Sequence, residues 1–175
     1  MEQLNRIELV QGNIVEEEVD AIVNAANSGL YPGGGVDGAI HDAAGPELYA
    51  ETRTFGGCPT GSARMSKAYG RLKSKWVIHA VGPKYQGGPA DAGRLSSAYR
   101  ESMKLAEKAG AKTVAFPSIS TGIYGYPVGE AALVAIKTVS ECLVEMPGIE
   151  NVRFVLFDAR TFSAYEAAKN ALRGG

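Results

Sequence analysis

Short apolar runs alternating with amphipathic segments of helical period restrict this 175-residue chain more than any other feature. Ile7 to Val10 and Ala21-Ile22-Val23 read as strands. Trp76 to Val81, Thr113 to Phe116 and Val152 to Phe157 read as three more, each too short for a buried helix. Ala63 to Tyr69 is a weaker strand candidate. Between them Leu95, Ala98, Tyr99, Met103, Ala106 and Ala109 recur at helical spacing, as do Val128, Ala132, Ala135, Ile136, Val139 and Leu143. A last helix is expected from about Phe162 to Leu172, with Thr161 or Ser163 as its N-cap and Gly174 beyond its end. Strands alternating with helices fold as an α/β layer structure in which helices cover the sheet. The Gly- and Pro-rich stretch Gln86 to Gly93 reads as a loop, no repeat or linker interrupts the pattern, and residues 1–175 are expected to form one domain.

Composition removes several function classes. Eighteen basic against nineteen acidic side chains give a net charge of −1, which argues against a dedicated nucleic-acid binder. The one basic cluster, Arg64, Lys67, Arg71, Lys73 and Lys75, reads as a solvated face. Cys58 and Cys142 are too far apart in sequence for the disulfide framework of a small secreted domain. Neither His41 nor His79 stands near a cysteine in a metal-ligand spacing, so no metal is expected. The first residues carry no basic stretch followed by an apolar run, and no segment reaches the ~20 apolar residues of a membrane span. The expectation is a cytoplasmic, soluble protein with no membrane partner.

Glycine is the outlier: 22 residues, about 13% against a typical ~7%. They concentrate in loops. After the second strand comes Asn24-Ala25-Ala26-Asn27-Ser28-Gly29-Leu30-Tyr31-Pro32-Gly33-Gly34-Gly35-Val36-Asp37-Gly38, running into a helix that starts near Val36. Three consecutive glycines make sense where a ligand approaches the main chain closely. The match to a dinucleotide fingerprint at Gly33, Gly35 and Gly38 is weak, because eight residues separate Asn24 from Gly33 where that fingerprint has none. Gly56 to Ser62 has phosphate-loop spacing but lacks the lysine before Ser62, which argues against a nucleoside triphosphatase. The second loop, Pro117 to Pro127, joins a buried strand to a long helix and carries Ser118, Ser120, Thr121, Tyr124 and Tyr126. A loop feeding a helix N-terminus presents free N–H groups that suit phosphate. Two such loops point to a phosphate-containing ligand.

These residues resemble the macro domain family over nearly the whole chain. Gln11-Gly12-Asn13-Ile14, Val19 to Asn27, Gly33 to Ala39, Val77-Ile78-His79-Ala80-Val81-Gly82-Pro83 and Ser118 to Pro127 follow its motifs in order. Asn27, six residues, then Gly34-Gly35-Val36-Asp37 is similar to the hydrolytic MacroD-type branch, with bacterial O-acetyl-ADP-ribose deacetylases the nearest likeness. The resemblance implies a three-layer α/β/α fold with a mixed six-stranded sheet, and ADP-ribose in a cleft at the strand ends. It implies that Asn13 and Ile14 meet the adenine and that Phe157 stacks on it. Gly33, Gly34, Gly35 and Val36 would close over the diphosphate from one side, and Ser120, Thr121, Gly122, Ile123, Tyr124, Gly125 and Tyr126 from the other. Asn27 and Asp37 would face the distal ribose, with Tyr126 packed on it. The family usually has Asp where this chain has Asn13, which removes charge assistance at the adenine amino group. Tyr85 stands where Trp is common, and the Gln-Glu-Glu of the poly-ADP-ribose glycohydrolase branch is absent.

The implied function is a hydrolase that deacetylates O-acetyl-ADP-ribose or removes mono-ADP-ribose from acidic side chains of proteins. Asp37 would position or deprotonate the water and Asn27 would fix the ribose; no cofactor is implied. The first turn of a helix favours the ionised carboxylate and so weakens it as a base, which leaves room for the substrate phosphate to share in activating the water. The alternative is a non-catalytic ADP-ribose reader with the same pocket. Partners are ADP-ribose and its O-acyl or protein-linked derivatives, on a monomer. Plainer roles exist for single residues: Asp37 as a helix-start residue, Asn24 and Asn27 as turn formers, His41 on a helix surface or in packing rather than in catalysis one turn past Asp37, and His79 as a satisfied core histidine.

Overall fold

The computed structural model describes residues 2–174. Six strands form one mixed sheet in the order β1-β6-β5-β2-β4-β3. They are β1 (Ile7–Gln11), β2 (Ala21–Ala25), β3 (Ala63–Lys67), β4 (Trp76–Ala80), β5 (Thr113–Phe116) and β6 (Asn151–Leu156). All neighbours run parallel except β3, which pairs antiparallel with β4 at the edge. The helices are α1 (Gly35–Ala44), α2 (Pro46–Thr52), α3 (Ala90–Lys108), α4 (Val128–Glu145) and α5 (Ala159–Gly174).

A strand repeats every two residues, so successive side chains go to opposite faces, and the two cores sort accordingly. Ala21, Val23, Ile78, Val114, Phe116, Val152 and Phe154 pack with Leu95, Tyr99 and Met103 of α3, Ala132, Ile136 and Val139 of α4, and Tyr165 of α5. Ile22, Val77, Ala115 and Val155 pack on the other face with Ile40 and Ala44 of α1 and Leu48 of α2. This is the expected three-layer α/β/α fold.

The helices depart from expectation at three places, two of them helix bounds and one an additional helix. Helix α3 begins at Ala90, inside the stretch read as loop. Pro89 sits at its N-cap with φ −67, where a missing N–H costs nothing, and the buried Asp91 carboxylate accepts from the N–H groups of Gln86 and Gly87. Helix α5 begins at Ala159, and its first turn is capped by Asp158, whose Oδ1 accepts from Thr161 N at 2.7 Å. Neither Thr161 nor Ser163 is the cap, and Gly174 falls within the helix. Helix α2 was not anticipated, because only Leu48 and Thr52 are buried in its seven residues and no apolar stripe betrays it.

Candidate functional site

The two glycine loops leave the carboxyl ends of β2 and β5, which are neighbours in the sheet. Crevices outside such strand ends are where open α/β sheets bind ligands. A cavity of about 400 Å³ lies between them, within the ~300–1,000 Å³ usual for small-molecule sites. Its walls are Ala25, Ala26, Asn27, Gly33, Gly34, Gly35, Val36 and Asp37 on one side. Gly82 and the second-loop residues Ser118, Ile119, Ser120, Gly122, Ile123 and Tyr124 form the other.

Asp37 lies in the first turn of α1, is 5% exposed and lines the cavity. Both its oxygens are held. Oδ2 accepts from Gly33 N at 2.7 Å, folding the triglycine segment back on the helix. Oδ1 accepts from Asn24 Nδ2 at 2.7 Å and lies 3.3 Å from His41 Nε2, one turn along. Asn24 belongs to β2 on the same face as Ile22, and in register with it on β4 is His79, two residues from Val77. The second Asn24 amide hydrogen therefore meets His79 Nδ1 at 3.2 Å, while His79 Nε2 pairs with Ser66 Oγ at 2.9 Å. Because Asn24 Nδ2 only donates, His79 accepts at Nδ1 and carries its hydrogen on Nε2. Burial holds the imidazole neutral, with its pKa lowered from 6.5 to about 4. Asn24 Oδ1 is buried with no partner among the described residues. An orphan acceptor of this kind costs about 1–3 kcal/mol, and its amide is turned toward Asp37 despite that.

Asn27 uses both amide atoms on its own loop, donating to Tyr31 O at 2.8 Å and accepting from Tyr31 N at 3.1 Å. It still reaches the cavity wall, and it converges with Asp37 on Gly33. A Cβ built on Gly33 meets Asp37 Oδ2 at 3.1 Å and Asn27 Nδ2 at 3.4 Å. Glycine at position 38 has a firmer reason, since a Cβ there falls 2.7 Å from Gly33 O.

The second loop is fixed at its root and open at its tip. Ile119 N donates to Tyr99 Oη at 3.1 Å, Tyr165 Oη donates to Ser118 Oγ at 2.9 Å, and Ser120 Oγ donates to Pro83 O at 2.8 Å. Ser120 holds φ +70, a left-handed conformation that non-glycine residues adopt at a cost. At the tip, the N–H groups of Gly122, Ile123 and Tyr124 have no acceptor among the described residues, and the Ile123 side chain is fully exposed. The loop tip and the first turn of α1 line the same cavity, and unpaired N–H groups at such places suit an anion.

A family model described as "Macro domain" matches residues 23–135. The chain belongs to the macro domain family. A macro domain-containing protein of Caldanaerobacter subterraneus is 54% identical over 172 residues, covering 95% of this chain and 97% of the relative. One from Chlorobaculum tepidum is 53% identical, covering 93% of this chain and 94% of its own. Among solved structures, an Oceanobacillus iheyensis macrodomain variant with ADPR superposes with a TM-score of 0.91 at 38% identity, covering 97% of this chain and 94% of that one. A Trypanosoma brucei macrodomain in complex with ADP-ribose superposes at 0.87 and 39% identity, covering 93% and 68%.

Within this macro domain the residues expected at the site divide. Asn27, Gly33 to Asp37, Ser120, Gly122, Ile123 and Tyr124 surround the cavity. Thr121 and Gly125 are in the loop without lining it, and Tyr126 is 5% exposed, tilted against Tyr85 at 4.9 Å between ring centroids. Asn13, Ile14 and Phe157 lie apart, past the ends of the paired strands β1 and β6, where Gly12 N donates to Leu156 O. Asn13 Oδ1 accepts from Val15 N, Ile14 is buried, and Phe157 is 82% exposed.

Of the two plain roles expected for His41, helix surface or packing, the structure gives packing: the ring is buried against Asp37, a contact that i,i+4 spacing permits. Asn24 is no turn former but the inner support of the carboxylate. Gly82 is close to the second loop for a steric reason, since a Cβ there would collide with Ser120 Oγ. Burial pushes the Cys58 and Cys142 thiols up, which disfavours the thiolate at both. Among the described residues no group of three or more His, Cys, Asp and Glu is placed to hold a metal ion, and no helix is long and apolar enough to cross a membrane.

Proposed function

We propose that this macro domain binds ADP-ribose in the 400 Å³ cavity and hydrolyses acyl esters of its distal ribose, from O-acetyl-ADP-ribose or from ADP-ribosylated acidic side chains. The observation that carries the reading is Asp37, buried, cavity-lining and supported on both oxygens. Relatives solved with ADPR and ADP-ribose support the ligand. The free N–H groups of the two loops clamp the diphosphate, and that remote binding energy fixes the reacting end. Asn27 Nδ2 keeps one hydrogen for a ribose hydroxyl after its bond to Tyr31 O.

Oδ2 of Asp37 accepts only from Gly33 N, so it retains a lone pair for the water proton. The water oxygen attacks the ester carbonyl carbon as that proton passes to Asp37. The tetrahedral intermediate then collapses, the ribose oxygen leaves with the proton returned by Asp37, and the products are ADP-ribose and a carboxylic acid, which releases its own proton to solvent. General-base catalysis of this kind contributes ~10²–10⁴-fold. Product release is measured from O-acetyl-ADP-ribose and from a Glu-ADP-ribosylated protein, with wild type and Asp37→Ala. Turnover that the variant loses by at least ~100-fold is expected. Tight ADP-ribose binding with no turnover on either substrate would make the protein a reader and remove the catalytic roles of Asp37 and Asn27.

A further inference from the structure

The carboxyl edge of the sheet does not end at Asn27. A second cavity of about 640 Å³ shares Asn27, Gly82 and Tyr124 with the first and continues over the ends of β4 and β3. Sheet order sets the sequence of subsites. The adenine candidates stand past β1 and β6, the two loops rise from β5 and β2, and the second cavity follows over β4. A ligand laid along this edge with its distal ribose at Asn27 points whatever is esterified to that ribose into the second cavity. The space far exceeds what an acetyl group fills.

Its charge is one-sided. Lys84 and Arg94 line it, both are exposed, and neither has a carboxylate partner among the described residues. Lys84 Nζ lies 5.6 Å from the Tyr124 ring on the shared wall. No acidic residue lines the cavity. Asp91, at the start of α3, is buried and engaged by the N–H groups of Gln86 and Gly87.

We infer that the second cavity is the acceptor subsite: it takes the polypeptide around the ADP-ribosylated carboxylate, and Lys84 and Arg94 select segments carrying further carboxylates. The inference rests on the hydrolase reading for its turnover arm and stands without it for its binding arm. Two peptides bearing one Glu-linked ADP-ribose, with acidic or with neutral flanks, are compared with O-acetyl-ADP-ribose, using wild type and Lys84→Glu/Arg94→Glu. Wild type is expected to favour the acidic peptide in kcat/KM. The charge-reversed protein loses about tenfold on it, the scale of two exposed charge contacts reversed, and stays within about twofold on O-acetyl-ADP-ribose. Raising salt to ~0.5 M shrinks the wild-type preference. Equal losses on all three substrates, or an unchanged preference, would overturn the subsite. Calorimetry of the intact peptides on Asp37→Ala protein, with and without the charge reversals, reads the same preference as affinity. If wild type hydrolyses nothing, the hydrolase reading fails while this measurement still decides the subsite: tighter binding of the acidic peptide, lost on reversal, upholds it, and equal affinities reject it.

Discussion

The two ends of the proposed ADP-ribose site are built by opposite means. At the reacting end Asp37, Asn24, His79 and Ser66 are all buried and joined by hydrogen bonds of 2.7 to 3.2 Å that reach from α1 through β2 and β4 to β3. At the end proposed for the adenine Asn13 is exposed and bonded only to its own turn, and Phe157 is 82% exposed. A side chain fixed before the ligand arrives suits chemistry, where a misplacement of ~1 Å costs on the order of a hundredfold. A solvent-exposed ring suits binding, where the contact is made only when the base covers it. The orphan Asn24 Oδ1 marks the stability given up to set the first arrangement.

The largest effect expected from breaking this contrast lies in the reacting-end network at acid pH. The unfolded chain protonates His79 near pH 6.5, whereas the native state resists until about pH 4. Stability therefore falls as pH drops through that window, by on the order of 3 kcal/mol from this residue at pH 4. Urea midpoints from pH 7 to 4 measure the fall, and His79→Gln is expected to flatten it; an unchanged slope would show that the histidine is not held neutral.

Next in size, His79→Leu leaves one of the two Asn24 Nδ2 hydrogens without an acceptor and loosens Asp37. A kcat loss of at least ~10-fold with ADP-ribose affinity nearly unchanged is expected. Gln, which offers both an acceptor and a donor, should restore most of it. Equal defects in the Leu and Gln proteins would reduce His79 to a packing role.

At the other end Phe157→Ala is expected to weaken ADP-ribose binding by ~1–3 kcal/mol, the usual worth of a stacked base, without altering single-turnover hydrolysis at saturation. The smallest change is at the open loop tip. Ile123→Ala removes a fully exposed side chain and should move stability by no more than ~0.5 kcal/mol in a thermal melt.

The sheet was legible because each strand is a short apolar run, and even the weaker β3 candidate proved to be the antiparallel edge. Helix α2 was not, because it packs through so few side chains. Pro89 hid the start of α3, since proline signals a break and a helix start with the same residue. The spacing of Asn27 and Asp37 in one loop placed both at the cavity. The pairing of Asn24 with His79 was invisible: 55 residues separate them, and only the β2–β4 register brings them together. His41 had the right spacing to touch Asp37, but spacing on a helix does not say which face is buried. The adenine candidates came from the family likeness alone, and nothing in their local sequence could have revealed how exposed they stand.

The division of labour between the two ends is tested most directly by measuring single-turnover hydrolysis of O-acetyl-ADP-ribose and calorimetric ADP-ribose affinity side by side for Asp37→Ala and Phe157→Ala. The predicted result is a crossed pattern: Asp37→Ala loses at least ~100-fold in rate with affinity within a few-fold, and Phe157→Ala loses affinity while keeping its rate. Rate and affinity falling together in both proteins, or hydrolysis persisting without Asp37, would contradict it.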